Sequence, residues 1–301
     1  MITSNEISFF EFKNRFDNED ACHEYLFKVR WPNGYICPKC DNKSFYYINK
    51  RNLYQCCSCR YQTSVTVGTV LEKTHISLEK WFWAIYLVST DKRGYSAMAL
   101  HRELQISYKT AWYLLHRIRT AMFDRELDYI LSGFVEIDDA YIGSVDEGGK
   151  RGRGTDKTKI VVGISLDDKK RPQFLKIEVV DNLDSDVING FAGFNIKSGS
   201  TISTDAYTIY NQLNSEGYDH RPKIFNQKVD KEHLKWVHTI VSNAKALVNG
   251  THHGLDKKHL QLYLSEFCFR FNRRFYPKNI FNRLIFNYVN SEKIAYAELT
   301  T

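Results

Sequence analysis

The sequence lacks long hydrophobic runs and any strong compositional bias. Its longest aromatic and aliphatic run, residues 81–88, has eight residues, whereas a membrane-spanning helix needs about 18 or more. With 43% hydrophobic and 26% charged residues among its 301, the composition argues against a largely disordered chain and allows two or three domains. No secretory signal opens the sequence, so we expect a cytoplasmic protein with no membrane partner.

The charge and cysteine content narrow the class of protein further. A net charge of +7 favours a polyanionic partner such as nucleic acid, although many soluble proteins are mildly basic. The seven cysteines indicate metal binding or free thiols rather than disulfides in a reducing compartment.

Four cysteines have the spacing of a zinc ribbon. Cys37 with Cys40 and Cys56 with Cys59 form two C-x2-C pairs separated by fifteen residues, and each pair can offer two thiolates to one zinc ion. Cys57 is the competing ligand, but only Cys56 restores the two-residue spacing of the first pair. The site is closed and therefore structural, and its partner can be DNA, RNA or protein.

The segment after the ribbon predicts a helix-turn-helix. Helices are indicated over residues 77–90, 96–104 and 108–123, with serine caps. The third helix is expected to expose a DNA-reading face, although a charged, solvated face of a plain helical module is the alternative. This face comprises Lys109, Thr110, Tyr113, Arg117 and Arg119.

From Gly133 onward the pattern changes to a mixed sheet with helices. Three strands, a helix, a strand, a helix, another strand and a long helix are the element order of a ribonuclease-H-like fold. The expected segments are residues 134–142, 160–166, 174–180, 186–194, 201–204, a helix near Tyr207, 223–227 and 234–248. Between the first two strands lies a glycine- and arginine-rich connection with Lys150, Arg151 and Arg153, which is either a solvated hairpin tip or a contact to a phosphate backbone.

Two aspartates occupy equivalent places on this predicted sheet. Asp138 lies within the first strand and Asp205 ends the fourth, 67 residues later. In such a sheet the two strands are neighbours, so the carboxylates would lie side by side and repel each other unless a cation such as Mg²⁺ lies between them. Aspartate is depleted within strands, which favours a function for Asp138. An aspartate at a strand end is often only a cap or a turn.

At this point the sequence resembles the zinc-ribbon DDE-type transposases of bacterial insertion sequences, family 1595. Nearly the whole chain, residues 10–281, carries the resemblance in order. Its motifs are RWPNGYICPKC, LYQCCSC, SVTVGTVLEKTHISLEKWF, SYKTAWYLLHRIR, VEIDDAYIG, GGKRGRGTDK, TDAYTIY, WVHTIVSNAKALVNGTHHG and KHLQLYLSEFCFRFNRRF.

The resemblance implies a mixed α/β protein in which a zinc ribbon and a helix-turn-helix precede a ribonuclease-H-like core with a five-stranded sheet. We expect an N-terminal helical segment over residues 1–36, the ribbon over 37–70, the helix-turn-helix over 71–125 and the core over 130–290. The implied function is Mg²⁺- or Mn²⁺-dependent cleavage and strand transfer. The implied partners are double-stranded transposon ends and target DNA, bound by a dimer or higher oligomer.

The resemblance also assigns site residues. Asp138 and Asp205 match the two catalytic, magnesium-binding aspartates, and Asn243 takes the third position in a subgroup that ends in asparagine. Helical spacing places Asn243 on the apolar, inward stripe of its helix, where a metal or a backbone cap is its partner. Lys245, on another face, is expected to contact DNA phosphate or solvent.

Other candidates and other functions remain open. Glu136 shares a strand face with Asp138, and Glu266 can substitute as a third carboxylate or form a salt bridge. His238, His252 and His253 can contact the scissile phosphate or simply lie on the surface. The competing functions are an inactive copy that only binds DNA and a transcription-associated ribbon protein.

Overall fold

The computed structural model describes residues 7–91, 93–143, 157–224, 232–252, 255–276, 279–292 and 295–300. The chain divides into two compact units, Met1–Met122 with Tyr276–Thr301, and Phe123–Phe275. The C-terminal segment therefore groups with the N-terminal unit, whereas the sequence suggests a core that extends to residue 290. No helix in the described ranges combines the length and apolar character needed to cross a lipid bilayer.

The helices and strands follow the predicted order, except that the helix predicted near Tyr207 is a 3-10 helix, Thr208–Asn214. The helices are α1 Phe9–Arg15, α2 Glu19–Arg30, α3 Leu78–Thr90, α4 Ala97–Leu104, α5 Tyr108–Leu127, α6 Ser185–Asn195, α7 Lys235–Thr251, α8 Leu260–Asn272, α9 Ile280–Asn290 and α10 Tyr296–Thr300. The strands are β1 Phe45–Ile48, β2 Leu53–Cys56, β3 Gln62–Thr63, β4 Phe134–Ile142, β5 Thr158–Leu166, β6 Pro172–Val180, β7 Thr201–Thr204 and β8 Asp219–Pro222.

Serine caps begin the three helices that follow the ribbon, as predicted. The hydroxyl oxygens of Ser77, Ser96 and Ser107 each accept a hydrogen bond from the backbone N–H three residues later. These bonds satisfy donors that have no partner within the helix. In the same unit, α9 packs against α2 and α3.

The second unit is built around a mixed sheet in the order β6-β5-β4-β7-β8. β4, β5 and β6 are antiparallel, whereas β7 and β8 run parallel to β4. This is the order expected for a ribonuclease-H-like fold. The last strand was predicted over residues 223–227, but it is Asp219–Pro222; residues 225–231 lie outside the described ranges.

Each face of the sheet has its own hydrophobic core. One face packs against α7 and α8, with Ile160 and Val162 of β5 in its core. The other packs against α6, where Val135 and Val161 lie. A Cβ on Gly163 would lie 3.1 Å from the Phe191 ring of α6, so a glycine there permits the close approach of helix and sheet.

A buried ionic cluster joins the end of α5 to α8 within the second unit. The Glu126 carboxylate, 5% exposed, accepts hydrogen bonds from Arg273 and Asn272. The ammonium of Lys176, also buried, donates to the backbone oxygen of Glu126. Burial lowers the pKa of Lys176, while the negative charge of Glu126 opposes this shift.

Removing Glu126 should destabilise the second unit strongly. Glu126→Ala leaves the guanidinium of Arg273, 2% exposed, buried without its carboxylate, and breaking such a pair costs about 3–5 kcal/mol. Urea denaturation measures this loss. The matched control is Glu24→Ala, which removes an exposed pair with Lys28 and should leave the free energy of unfolding almost unchanged. Equal effects of the two variants would contradict the assignment.

Candidate metal centres and nucleic-acid interface

The four predicted zinc ligands meet at one point. The sulfur atoms of Cys37, Cys40, Cys56 and Cys59 all lie within 4.8 Å of one another. β1 and β2 form a hairpin between the two pairs, and the backbone turns at Asn52 in a left-handed conformation. This geometry fits a tetrahedral, closed zinc site.

The structure also separates the two adjacent cysteines. Cys56 is buried in the cluster, whereas Cys57 is exposed, because successive residues along an extended strand point in opposite directions. Burial raises the pKa of the Cys37 thiol, but the N–H groups of Lys39 and Cys40 outweigh it and bring the pKa to about 6. The N–H of Asn42 favours the Cys40 thiolate, but the Cys59 sulfur, burial and the Cys56 sulfur outweigh it and raise the pKa of Cys40 to about 12. The thiols therefore oppose one another's ionisation, and a bound zinc ion would supply the charge that holds all four as thiolates.

The ribbon packs on α2 through aromatic rings. Tyr54, 6% exposed, lies at the centre of this cluster on β2. Its ring centroid is 4.8 Å from that of Phe27 on α2 and 5.2 Å from that of Phe45 on β1. Ribbon and helix thus share one small core, which the C-x2-C spacing alone does not reveal.

The strand register aligns the two predicted catalytic aspartates. Glu136 of β4 pairs with Ser203 of β7, an offset of 67 residues. Asp138 and Asp205 have the same offset and follow this pair by two residues. Both side chains are half-buried. They therefore lie at the same end of two adjacent parallel strands, as the sequence predicts.

Tyr210 gives an independent sign that the carboxylates share one region. It is fully buried, and its hydroxyl donates to Asp139, with 3.1 Å between the oxygens. Burial raises the pKa of this phenol well above its ordinary value, and the negative charges of Asp139, Asp138 and Asp205 raise it further. Asp139 faces away from its neighbour Asp138, which is the alternation expected in a strand.

Glu136 fixes the position of α7 against β4. Its carboxylate Oε2 accepts hydrogen bonds from the backbone N–H groups of Trp236 and Val237, at 3.1 and 3.0 Å. These donors lie in the first turn of α7, where N–H groups have no partner within the helix and the helix dipole favours an anion. Burial raises the pKa of Glu136, and the two N–H groups oppose that shift.

The capped helix brings His238 to Asp138. His238 Nε2 lies 3.0 Å from Asp138 Oδ2, with 37% of the imidazole and 16% of the carboxylate side chain exposed. The sequence named His238 only among several histidines of uncertain role. His238 is singled out by its position directly after Trp236 and Val237, whose N–H groups donate to Glu136. This contact joins residues about 100 positions apart in the sequence, so only the folded chain reveals it.

The predicted inward position of Asn243 is wrong. Asn243 is exposed, and the buried stripe of α7 consists of Val237, Ile240, Val241, Ala244 and Val248. Helical spacing from Leu247 was misleading because that leucine is itself only half-buried. Asn243 follows His238 by five residues, which rotates it by about 140° around the helix.

The predicted exposure of Arg117 and Arg119 is also wrong. Their side chains lie on α5 in the first unit and are 3% and 1% exposed. The Arg117 guanidinium donates to the backbone oxygen of Glu72 and lies over the Trp81 ring, and Arg119 donates to the backbone oxygen of Tyr95. The positive charge of the two arginines predicts that they are exposed to solvent. A guanidinium can nevertheless be buried when carbonyl oxygens accept its hydrogen bonds.

The remaining residues of the predicted DNA-reading face of α5 are only partly exposed to solvent. Lys109 is exposed, but its ammonium lies 4.5 Å from the ring centroid of Tyr296 on α10. Thr110 and Tyr113 are half-buried, and Tyr113 packs edge-on against the same Tyr296 ring at 5.4 Å. Their role in DNA binding stays a prediction.

The structure assigns other candidates to packing or leaves them as predictions. Glu266, 3% exposed, forms an ion pair with Arg270 at 2.7 Å, which is the salt-bridge alternative. Lys245 is half-buried and follows His238 by seven residues, two helical turns, so both lie along one edge of α7. His253, Lys150, Arg151 and Arg153 lie outside the described residues.

Replacing Cys56 should abolish zinc binding, whereas replacing its neighbour should not. Cys56→Ser removes a buried ligand, and zinc sites of this kind require all four thiolates. Cys57→Ser changes an exposed side chain of the same chemistry, so it is the matched control. Metal content by mass spectrometry should show one zinc per chain in the wild type and the control. Zinc loss in the Cys57 variant alone would exchange the two assignments.

Two family models match this chain, one over the ribbon and one over most of the second unit. Residues 17–62 match the family model of the transposase zinc-ribbon domain, and residues 130–272 match that of the ISXO2-like transposase domain, both of the IS1595 type. An uncharacterized protein in transposable element ISH50 of Halobacterium salinarum is 31% identical over 153 residues. That match covers 50% of this chain and 49% of the relative, so the chain spans about half the relative's length.

Solved structures that align with the chain are more distant in sequence. The crystal structure of a pre-cleavage Mos1 transpososome is 11% identical, with 70% of this chain and 78% of that chain covered and a TM-score of 0.29. The Mos1 mariner paired end complex with Mn is 11% identical, with 68% and 75% covered and a TM-score of 0.31. These scores are too low to support an argument, and the fold assignment rests on the strand order. By its two family models, the chain belongs to the IS1595-type transposases.

Proposed function

We propose that this protein is a DNA transposase that binds the ends of its insertion sequence, cleaves DNA strands there and joins the freed ends to target DNA. The observation that carries the proposal is the register of β4 and β7, which aligns Asp138 with Asp205 at one end of the sheet. The family match to the transposase domain includes both residues.

The donor set of this site fits a hard divalent cation. Two carboxylates on adjacent strands supply oxygen ligands and negative charge, which Mg²⁺ and Mn²⁺ prefer. When bound, such ions lower the pKa of a nucleophilic water or 3′-hydroxyl and stabilise the leaving oxygen in phosphoryl transfer. Asp138 and Asp205 would hold the ions, while the sheet fixes the direction of each carboxylate. Among the described residues, only the zinc-ribbon cysteines already gather three or more ligand atoms within 4.8 Å.

The protein's own groups would prepare this site before DNA arrives. Glu136 holds α7 against β4, and Tyr210 holds Asp139 on the opposite face. Asp138 therefore lies between two fixed neighbours on its strand. Such preorganisation reduces the rearrangement required at the moment of reaction.

DNA recognition is the second part of the proposal. We assign it to the first unit, where the ribbon and α5 would contact the transposon ends, and Lys109 is the exposed cation of the predicted reading face. Lys245, together with Lys150, Arg151 and Arg153 of the connection, would contact phosphates near the reacting strand. We expect a dimer or higher oligomer that pairs two ends.

Asp138→Asn and Asp205→Asn should each abolish strand cleavage while DNA binding persists. Each change keeps the side-chain shape but removes the charge that holds the cation, so we expect a rate loss of at least about 1,000-fold. The assay is cleavage of a duplex that bears the element's terminal repeats, with Mg²⁺ or Mn²⁺. The matched control is Asp186→Asn, an exposed carboxylate in the first turn of α6, which should cleave normally.

Two results would overturn this proposal. Normal metal-dependent cleavage by a folded Asp138→Asn variant would remove the carboxylates from the mechanism. End-specific binding by the wild type without cleavage or joining, in either metal, would instead identify an inactive copy that acts as a DNA-binding protein.

A further inference from the structure

We propose that His238, rather than Asn243, completes the divalent metal site as its third protein ligand. The inference rests on the proposed function, because it concerns the same cation. Its basis is the 3.0 Å separation of His238 Nε2 and Asp138 Oδ2. Adjacent ligands of an octahedral ion with bonds of about 2.1 Å lie about 3 Å apart, so these two atoms can bind one ion together.

The helix geometry excludes Asn243 from the same position. His238 lies one residue after the N–H groups that Glu136 holds, so its place on the helix is fixed relative to β4. Asn243 is rotated by about 140° from His238 and is exposed on the other edge of α7. A single straight helix cannot direct both side chains at Asp138.

An imidazole ligand changes the preference of the site among metals. Mg²⁺ strongly prefers oxygen donors, whereas Mn²⁺ and later transition metals accept imidazole nitrogen more readily. His238 is neutral as a ligand, so the site carries less negative charge than one with three carboxylates. The site is thus expected to bind Mn²⁺ more tightly than Mg²⁺.

The sharpest test uses Mn²⁺ alone as the probe and needs no catalysis. Pulsed electron paramagnetic resonance of the full-length protein should show coupling of Mn²⁺ to a histidine nitrogen. His238→Ala should lose that coupling and bind Mn²⁺ at least about 10-fold more weakly. Asn243→Ala should retain both the coupling and the affinity. His238→Glu should lose the coupling but bind Mg²⁺ more tightly than the wild type.

Each outcome separates this inference from the proposed function. If Asp138→Asn abolishes Mn²⁺ binding while His238→Ala keeps the nitrogen coupling, only the role of His238 is wrong. If Asp138→Asn binds Mn²⁺ as the wild type does, the metal site itself is wrong. Thermal unfolding of each variant verifies folding. The partly exposed position of His238 and the carboxylate of His238→Glu keep the test valid if the alanine variant unfolds.

A second and independent inference concerns a lysine-lined cleft at the same end of the sheet. The cavity, about 650 Å³, lies where β5 begins, β6 ends and α8 approaches. Its lining includes one carboxylate, Asp181, and four ammonium groups, those of Lys157, Lys159, Lys257 and Lys258. We infer that this lysine cleft binds the phosphodiester backbone of DNA that extends from the metal site.

The position of the cleft supports this partner. Asp138 pairs with Val162 of β5, and Thr158, which lines the cleft, lies four residues from Val162 on the same face of that strand, a distance of about 13 Å. A duplex whose scissile phosphate lies at Asp138 would therefore pass within reach of these lysines. The excess of cations over anions in the lining provides the attraction that a polyanion requires.

Replacing Lys257 and Lys258 together with alanine should weaken DNA binding and reduce its salt dependence. Losing two phosphate contacts lowers the slope of log K against log salt concentration by about 2. Fluorescence anisotropy with a duplex that carries a transposon end and flanking DNA measures this slope. The matched control replaces Lys169 and Lys170, two exposed lysines in the turn at the other end of the β5–β6 hairpin.

The control variant distinguishes a specific binding site in the lysine cleft from a general effect of net charge. Equal changes in both double variants would mean that only net charge acts, and the lysine cleft would not be a binding site. A wild-type protein that binds no DNA would instead overturn the proposed function. A duplex that ends at the scissile position should bind both variants and the wild type with similar slopes, because it has no backbone to reach the cleft.

Discussion

The second unit depends on the hydrogen bonds between the Glu136 carboxylate and the first turn of α7. A helix can slide or rotate on a sheet when only apolar side chains contact it, because hydrophobic packing has little direction. A buried carboxylate that receives two backbone N–H groups fixes both the height and the rotation of the helix. This constraint brings His238 to Asp138 and directs Asn243 elsewhere. One contact therefore sets both the packing of α7 on the sheet and the geometry of the proposed metal site.

The two sites that we assign to metals achieve their geometry differently. The zinc ribbon gathers ligands that are close in sequence, and its hairpin alone brings Cys37 and Cys56 together. The acidic site gathers residues from two strands and a helix, so it needs the whole sheet. This difference explains why spacing predicted the ribbon ligands correctly but placed Asn243 on the wrong face of its helix. Local geometry follows from short-range sequence, whereas distant partners require the tertiary structure.

Charged residues within the protein have roles that their charge alone does not indicate. Arg117 and Arg119 satisfy backbone oxygens inside the first unit, and Glu126 with Arg273 forms a buried pair in the second. A basic protein of this kind thus uses part of its positive charge for folding, and fewer cations than the sequence suggests are available to DNA. The exposed lysines, including Lys109 together with Lys257 and Lys258 of the lysine cleft, are the better candidates for phosphate contacts.

The sequence by itself determined the zinc ligands, the serine-capped helices, the strand order and the placement of Asp138 and Asp205 at the same end of adjacent strands. These features follow from spacing, capping and the period of two along strands, all of which act over short distances or through a regular ladder. Only the tertiary structure decided that Arg117 is buried, that Asn243 is exposed and that His238 meets Asp138. The rotation of a helix about its axis depends on contacts with distant residues, and a period of 3.6 leaves several faces nearly equivalent until a partner such as Glu136 selects one.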